Sequence, residues 1–244
     1  MAILPIDSGR YGTKEMLEVF GEQKKIDYQL EIEAAAALSQ SEINLIPKSI
    51  AKDIAKAARS GKITAKRIKQ LEAKSDHDTA ALVESLAERC KKESRPWIHY
   101  GLTSNDLVDT SNSMQMRDAL RIIQPKVGKL ATVLAKNATK YKVLPAVGRT
   151  HGQHASIISF GLKFANWAAE MSTHLERLDE IKKRILICKT LGVVGTGSLM
   201  GKNAVRVQER VAKKLSLYPA KVTTQIIPRE GYAEYIFQLS LLGA

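Results

Sequence analysis

Residues 116–141 read MRDALRIIQPKVGKLATVLAKNATKY, and the spacing of the apolar positions in this stretch decides the fold. Met116, Leu120, Ile123, Val127, Leu130, Leu134, Ala138 and Tyr141 recur at steps of three and four, so a helix of about seven turns places them on one stripe. Pro125 interrupts the run and predicts a bend, because it removes one backbone hydrogen bond and crowds the preceding turn. Phe160, Phe164, Trp167, Met171, Leu175, Leu178, Ile181, Ile185 and Cys188 keep the same spacing further on. Stripes of this length bury themselves in a helical bundle, so the expected fold class is all-α. The segment joining the two long helices carries GRTHGQH (148–154) and is expected to be a loop.

Upstream, shorter helices are expected at 13–40, 47–59, 64–73 and 77–93, with turn signals at Pro47 and at Ser60 with Gly61. The predicted organisation is a small helical domain over 1–98 followed by part of a long-helix bundle over 99–244. LGVVGTGSLMG (191–201) holds four glycines, which mark a loop or a close backbone approach. It has neither a preceding strand nor a GK[ST] ending, so it does not match a phosphate-cradling loop. A helix near 203–216, a polar connection KVTTQIIPRE (221–230) and an apolar helix from Glu230 complete the chain. That last helix has little room for a polar face, and we expect it to belong to a longer protein or to be covered by partner chains.

The 244 residues carry a net charge of +13 and two cysteines, Cys90 and Cys188, with no ligand or disulfide spacing. No uninterrupted apolar run approaches the ~20 residues that span a bilayer, and the start, MAILPIDSGR, lacks a charged leader. A soluble cytoplasmic protein without a membrane partner is expected. Nine Lys or Arg against Asp53 and Glu72 give 46–74 a net charge of +7. With no aromatic residue interleaved for base stacking, this run reads as a solvated helix face rather than a nucleic-acid surface.

Two stretches concentrate chemistry. In GRTHGQH, His151 and His154 stand beside Thr150 between glycines, and a histidine there can serve as a general acid or base. No third ligand sits at useful spacing, so no metal is expected. In HYGLTSNDLVDT (99–110), Thr103 and Ser104 fall where a long helix should begin, and hydroxyls beside free N–H groups at a helix start form a seat for a carboxylate or phosphate. Asp106 and Asp109 read as caps or first-turn acids without chemistry. The run Ser75, Asp76, His77, Asp78 reads as a helix cap.

HYGLTSNDLVDT, GRTHGQHA with the following FGLKFA, LGVVGTGS, TTQIIPRE and the His77–Asp78 pair occur in an order that resembles the N-terminal portion of the adenylosuccinate lyase family, within the fumarase and aspartase superfamily. The resemblance covers essentially the whole chain. It implies a β-elimination that releases fumarate from adenylosuccinate to give AMP, and from the succinylated imidazole-carboxamide ribotide, in a homotetramer whose sites combine several subunits. By motif position it implies His151 as general acid and His77 as its orienting or phosphate-end assistant, with Asp78 beside it. Thr103, Ser104 and Thr150 would hold the succinyl carboxylates, with Gln225 at the same end, and Arg10, Tyr11 and Arg229 would meet the nucleotide phosphate. No cofactor is implied.

This chain departs from the family pattern at three places. His154 to Ser159 read HASIIS where the family has His-Ala-Glu-Pro-Thr-Thr, and Gly231-Tyr232 replace an Arg-His pair. The serine-rich Met-Pro-Lys-x-Asn loop that supplies the family's general base is nowhere in the sequence, so these residues alone are expected not to turn over substrate. Two other readings stay open: a related lyase or cycloisomerase acting on another succinyl-type acid, and a silent helical assembly or nucleic-acid-binding protein.

Overall fold

The structure, a computed structural model, describes residues 9–244. Nine α-helices carry the described chain: α1 (Lys14–Val19), α2 (Glu22–Glu42), α3 (Lys48–Ala58), α4 (Ala65–Ser75), α5 (Asp78–Ala87), α6 (Ser104–Lys140), α7 (Phe160–Ile185), α8 (Ala204–Leu215) and α9 (Glu230–Gly243). Four short strands complete it: β1 (Pro145–Thr150), β2 (Gln153–Ser159), β3 (Ile187–Cys188) and β4 (Tyr218–Pro219). The fold is all-α with two small sheets.

The chain forms two compact units, one from Met1–Ala119 with Lys183–Arg229 and the other from Leu120–Lys182 with Glu230–Ala244. Residue 98 lies inside the first unit, and both long helices contribute to each unit.

In the first unit α2 is the central rod. It packs against α1, α3, α4 and α8 and is buried on almost every side. Its Ala34–Ala37 run explains how: four small side chains with high helix propensity let neighbouring backbones approach closely. α3 lays Ala51, Ile54, Ala55 and Ala58 inward and leaves its lysines in water, the solvated face expected of the basic run. The expected single helix over 13–40 is two helices. Gly21, extended at φ −65° and ψ 148°, is the N-cap of α2 and separates it from α1. The helix expected at 77–93 ends at Ala87 and gives way to a 3-10 turn at Lys92–Trp97 that contains Pro96.

In the second unit the expected loop between the long helices is a β-hairpin. β1 and β2 pair antiparallel from Pro145 opposite Ser159 to Thr150 opposite Gln153, with a bulge between Gly148 and Arg149. The turn is two residues, His151 at φ 51° and Gly152 at φ 71°, the left-handed pair that matches the twist of hairpin strands. Where α6 ends and α7 begins, Tyr141, Phe160, Phe164 and Trp167 form a chain of ring contacts with centroids 5.5–5.9 Å apart. Gly161 allows the close approach there, since a Cβ would lie 2.4 Å from the Ala138 carbonyl oxygen. α6 runs through Pro125 without ending, and α7 carries its stripe as far as Ile185, while Cys188, expected on the same stripe, lies in β3. Leu130 in α6 and Trp167 in α7 remain exposed, as do Ile236 and Phe237 in α9.

Ile54 is fully buried between α3 and its neighbours. Ile54→Ala removes buried methyl groups and leaves a cavity, so it should lower stability by about 2–5 kcal/mol in denaturant melts.

Candidate active site

The stretch 99–110 lies in the first unit, and its loop is tied down from below by α2. The Glu33 carboxylate, 2% exposed, accepts the His99 backbone N–H at 3.0 Å and contacts His99 Nδ1 at 2.6 Å. This bidentate grip fits the left-handed conformation of His99, at φ 61°. Gln40 donates its amide to the Tyr100 carbonyl at 2.7 Å, and the Tyr100 hydroxyl donates to the Leu199 carbonyl at 3.2 Å. Gly101, at φ 75°, brings the loop against Met200, which a Cβ would meet at 3.0 Å.

α6 then begins at Ser104, with Thr103 before it. Asp106 reaches back to accept the Thr103 N–H at 3.0 Å, the returning half of a capping box. The side-chain hydroxyls of Thr103 and Ser104 make no hydrogen bond among the described residues, so both donors remain unspent at the positive end of a 37-residue helix.

Asp106 and Asp109 are more than caps. Asp106 is fully buried, ion-paired to the equally buried Lys189, and also accepts the Gly192 N–H at 2.9 Å. Burial pushes its carboxyl above the ordinary aspartate range, against the pull of Lys189 and the two N–H donors. Asp109, with a buried side chain, accepts the Ile227 N–H at 2.9 Å and pairs with Arg229 at 2.7 Å. The first two turns of α6 therefore hold the glycine-rich segment and the 223–229 connection. That segment makes the close approach its glycines suggested: a Cβ on Gly195, at φ 77°, would lie 2.2 Å from the Thr223 carbonyl oxygen.

The other candidates fall as follows. Gln225 is exposed on the 223–229 connection, and Arg229 keeps a half-exposed side chain. Arg10 stacks over the ring of Tyr11 at 5.4 Å, both exposed. His77 caps α5, its Nδ1 accepting the Ala80 N–H at 3.4 Å with Asp78 3.5 Å away, and both side chains face solvent. Thr150 and His151 lie at the exposed tip of the hairpin, in the second unit. Among the described residues no cluster of His, Cys, Asp and Glu is placed to hold a metal, and no helix is long and apolar enough to cross a membrane.

A lyase family model matches residues 9–244. The chain belongs to that lyase family, within the fumarase and aspartase superfamily. It is 43% identical over 243 residues to the adenylosuccinate lyase of Methanocaldococcus jannaschii, covering 100% of this chain and 52% of that protein. It is 38% identical over 244 residues to that of Pyrococcus horikoshii, covering 100% and 54%. Among solved structures, a fumarate lyase from Mesorhizobium sp. BNC1 superposes with a TM-score of 0.86 at 31% identity, over 95% of this chain and 55% of that one. A 3-carboxy-cis,cis-muconate lactonizing enzyme from Pseudomonas putida superposes with 0.87 at 28% identity, over 98% and 55%. The chain spans about half the length of the curated relatives it matches.

The residues missed from the sequence are Glu33, Gln40 and Lys189; Glu33 and Lys189 stand in largely apolar runs, IEAAAAL and LICKTLG, whereas Gln40 lies between two serines and carries no such signal. A lone charge in such a run is a signal of burial with a partner. His99 carries a pH consequence. Burial opposes its charge, but the Glu33 hydrogen bond and charge outweigh that and raise its pKa above the ordinary value. The stabilisation is thus complete below about 6.5, the unfolded value, and is lost as pH rises through the raised folded value. Thermal midpoints measured from pH 6 upward should show this loss in the wild type, and Glu33→Gln should abolish it.

Proposed function

We propose that this chain is the N-terminal half of an adenylosuccinate lyase that cleaves adenylosuccinate to AMP and fumarate, and the succinylated imidazole-carboxamide ribotide likewise, in purine biosynthesis. The observation that carries this reading is the pair of unspent hydroxyls on Thr103 and Ser104 at the start of α6, in a chain 43% identical to an adenylosuccinate lyase. Two hydroxyl donors with the helix N-terminus suit a carboxylate in its ground state. They suit still better the doubly charged carboxylate formed when a base takes the proton from the adjacent carbon.

In the proposed reaction the C–H electron pair becomes the new carbon–carbon double bond, the C–N pair departs with the purine nitrogen, and His151 supplies that nitrogen with a proton. The hairpin turn holds His151 at an exposed tip, as a group that must meet a ligand requires. Thr150 and Gln225 would bind the succinyl end with Thr103 and Ser104. Arg10, Tyr11 and Arg229 would bind the phosphate, and His77 with Asp78 would orient His151 or the phosphate end. The exposed apolar residues on α6, α7 and α9 fit burial by other copies in a cytoplasmic homotetramer. Without a base loop in its sequence, the 244-residue chain by itself should not turn over substrate.

The second reading, a lyase or cycloisomerase for another succinyl-type acid, draws on the HASIIS departure and on the likeness to a muconate lactonizing enzyme. Fumarate absorbance across a substrate panel separates the two. The natural polypeptide carrying this chain should release fumarate from adenylosuccinate in preference to non-nucleotide acids, and no preference for the nucleotide would favour the second reading. His151→Ala in that polypeptide should lower kcat by a factor on the order of 100 or more. A near-normal rate would move the acid role to His77 or His154.

A further inference from the structure

The buried pair of Asp106 and Lys189 has no part in the chemistry above, yet it is the most desolvated charge in the first unit. Both side chains are fully buried. Burying an ion pair commonly costs as much as it returns, and replacing one by apolar residues is often neutral or stabilising. Stability therefore gives little reason for this pair, and its connections give a better one. Each oxygen of Asp106 has a distinct task. Oδ1 meets Lys189 Nζ, and Oδ2 accepts both the Thr103 N–H at 3.0 Å and the Gly192 N–H at 2.9 Å. Lys189 Nζ also donates to the Gly192 carbonyl at 3.2 Å. The Lys189 backbone is strapped to the second turn of α6, where the Thr110 hydroxyl donates to its carbonyl at 3.0 Å and accepts its N–H at 3.1 Å. Gly101 and Gly192 meet so closely that a Cβ on Gly192 would lie 3.2 Å from the Gly101 carbonyl oxygen.

We propose that Asp106 and Lys189 are positioning residues for carboxylate binding: by locking the Thr103 cap to the Gly192 turn, they fix the backbone that carries the Thr103 and Ser104 hydroxyls. This rests on the reading of Thr103 and Ser104 as a carboxylate seat. The alternative state of a threonine before a helix is to turn its hydroxyl onto a backbone N–H of the first turn. Here the Thr103 hydroxyl makes no such bond among the described residues, and Asp106 ties the residue through its backbone N–H.

The test uses the natural polypeptide that carries this chain and compares the wild type with Asp106→Leu/Lys189→Met. This double variant removes both buried charges together, whereas Lys189→Met alone strands a carboxylate and should melt far lower. The double variant should fold with a thermal midpoint near the wild type. It should bind fumarate at least ~10-fold more weakly, the size of effect expected when a buried hydrogen bond is lost. Hydrogen exchange at the Thr103 and Gly192 amides should speed up selectively. A double variant that binds fumarate as tightly as the wild type, or that fails to fold, overturns the proposal, because the pair would then act on stability alone. A wild type that binds no fumarate sinks the lyase reading instead. In that case exchange at Thr103 and Gly192 still decides the locking role, and unchanged rates in the double variant would end it.

Discussion

The Asp106 carboxylate, taken out of water at the third residue of α6, is the constraint on which the rest of the first unit's site depends. A bare carboxylate in that position would be prohibitive, so the fold must bring it a cation and N–H donors. Lys189 supplies the first, and the Thr103 and Gly192 N–H groups supply the second. Each donor comes with a segment attached: the cap of α6, the strand that precedes the glycine-rich turn, and the turn itself. Satisfying one charge thus fixes three pieces of backbone around one helix start. Asp109 repeats the device one turn later, bringing in Ile227 and Arg229.

The same logic extends downward to α2. Glu33 and Gln40 sit among small apolar residues on a helix buried on nearly all sides, and both spend their polar atoms on the 99–103 loop. A scaffold helix buried on nearly all sides is a rigid base, which is what a binding loop of otherwise irregular backbone requires. The strained φ of His99 and the positive φ of Gly101 persist because Glu33 and Gln40 hold the backbone on either side.

Much of the fold was legible in the sequence for a simple reason: the stripe from Met116 to Tyr141 repeats long enough that no other secondary structure fits it. The helix start at Ser104 was legible for a local reason, hydroxyls just before a strong helix. What escaped was non-local or short. The hairpin at 145–159 has only six and seven residues per strand, and Gly148 with the bulge breaks the alternation that would mark it. The His151-Gly152 turn was its best signal. Asp106 and Asp109 carry the same local pattern as ordinary first-turn acids. Only partners 83 and 120 residues away make them anchors, and periodicity along the chain does not report such contacts.

Lyases that release fumarate must grip a carboxylate whose charge grows during the reaction, and a helix start with two unspent hydroxyls is a physical answer to that demand. The most direct measurement of this claim is a crystal structure of the natural polypeptide carrying this chain, with fumarate bound. The account predicts a fumarate carboxylate hydrogen-bonded to the hydroxyls of Thr103 and Ser104, with Asp106 and Lys189 still paired beneath. Fumarate bound elsewhere, with those hydroxyls facing only water, would contradict it.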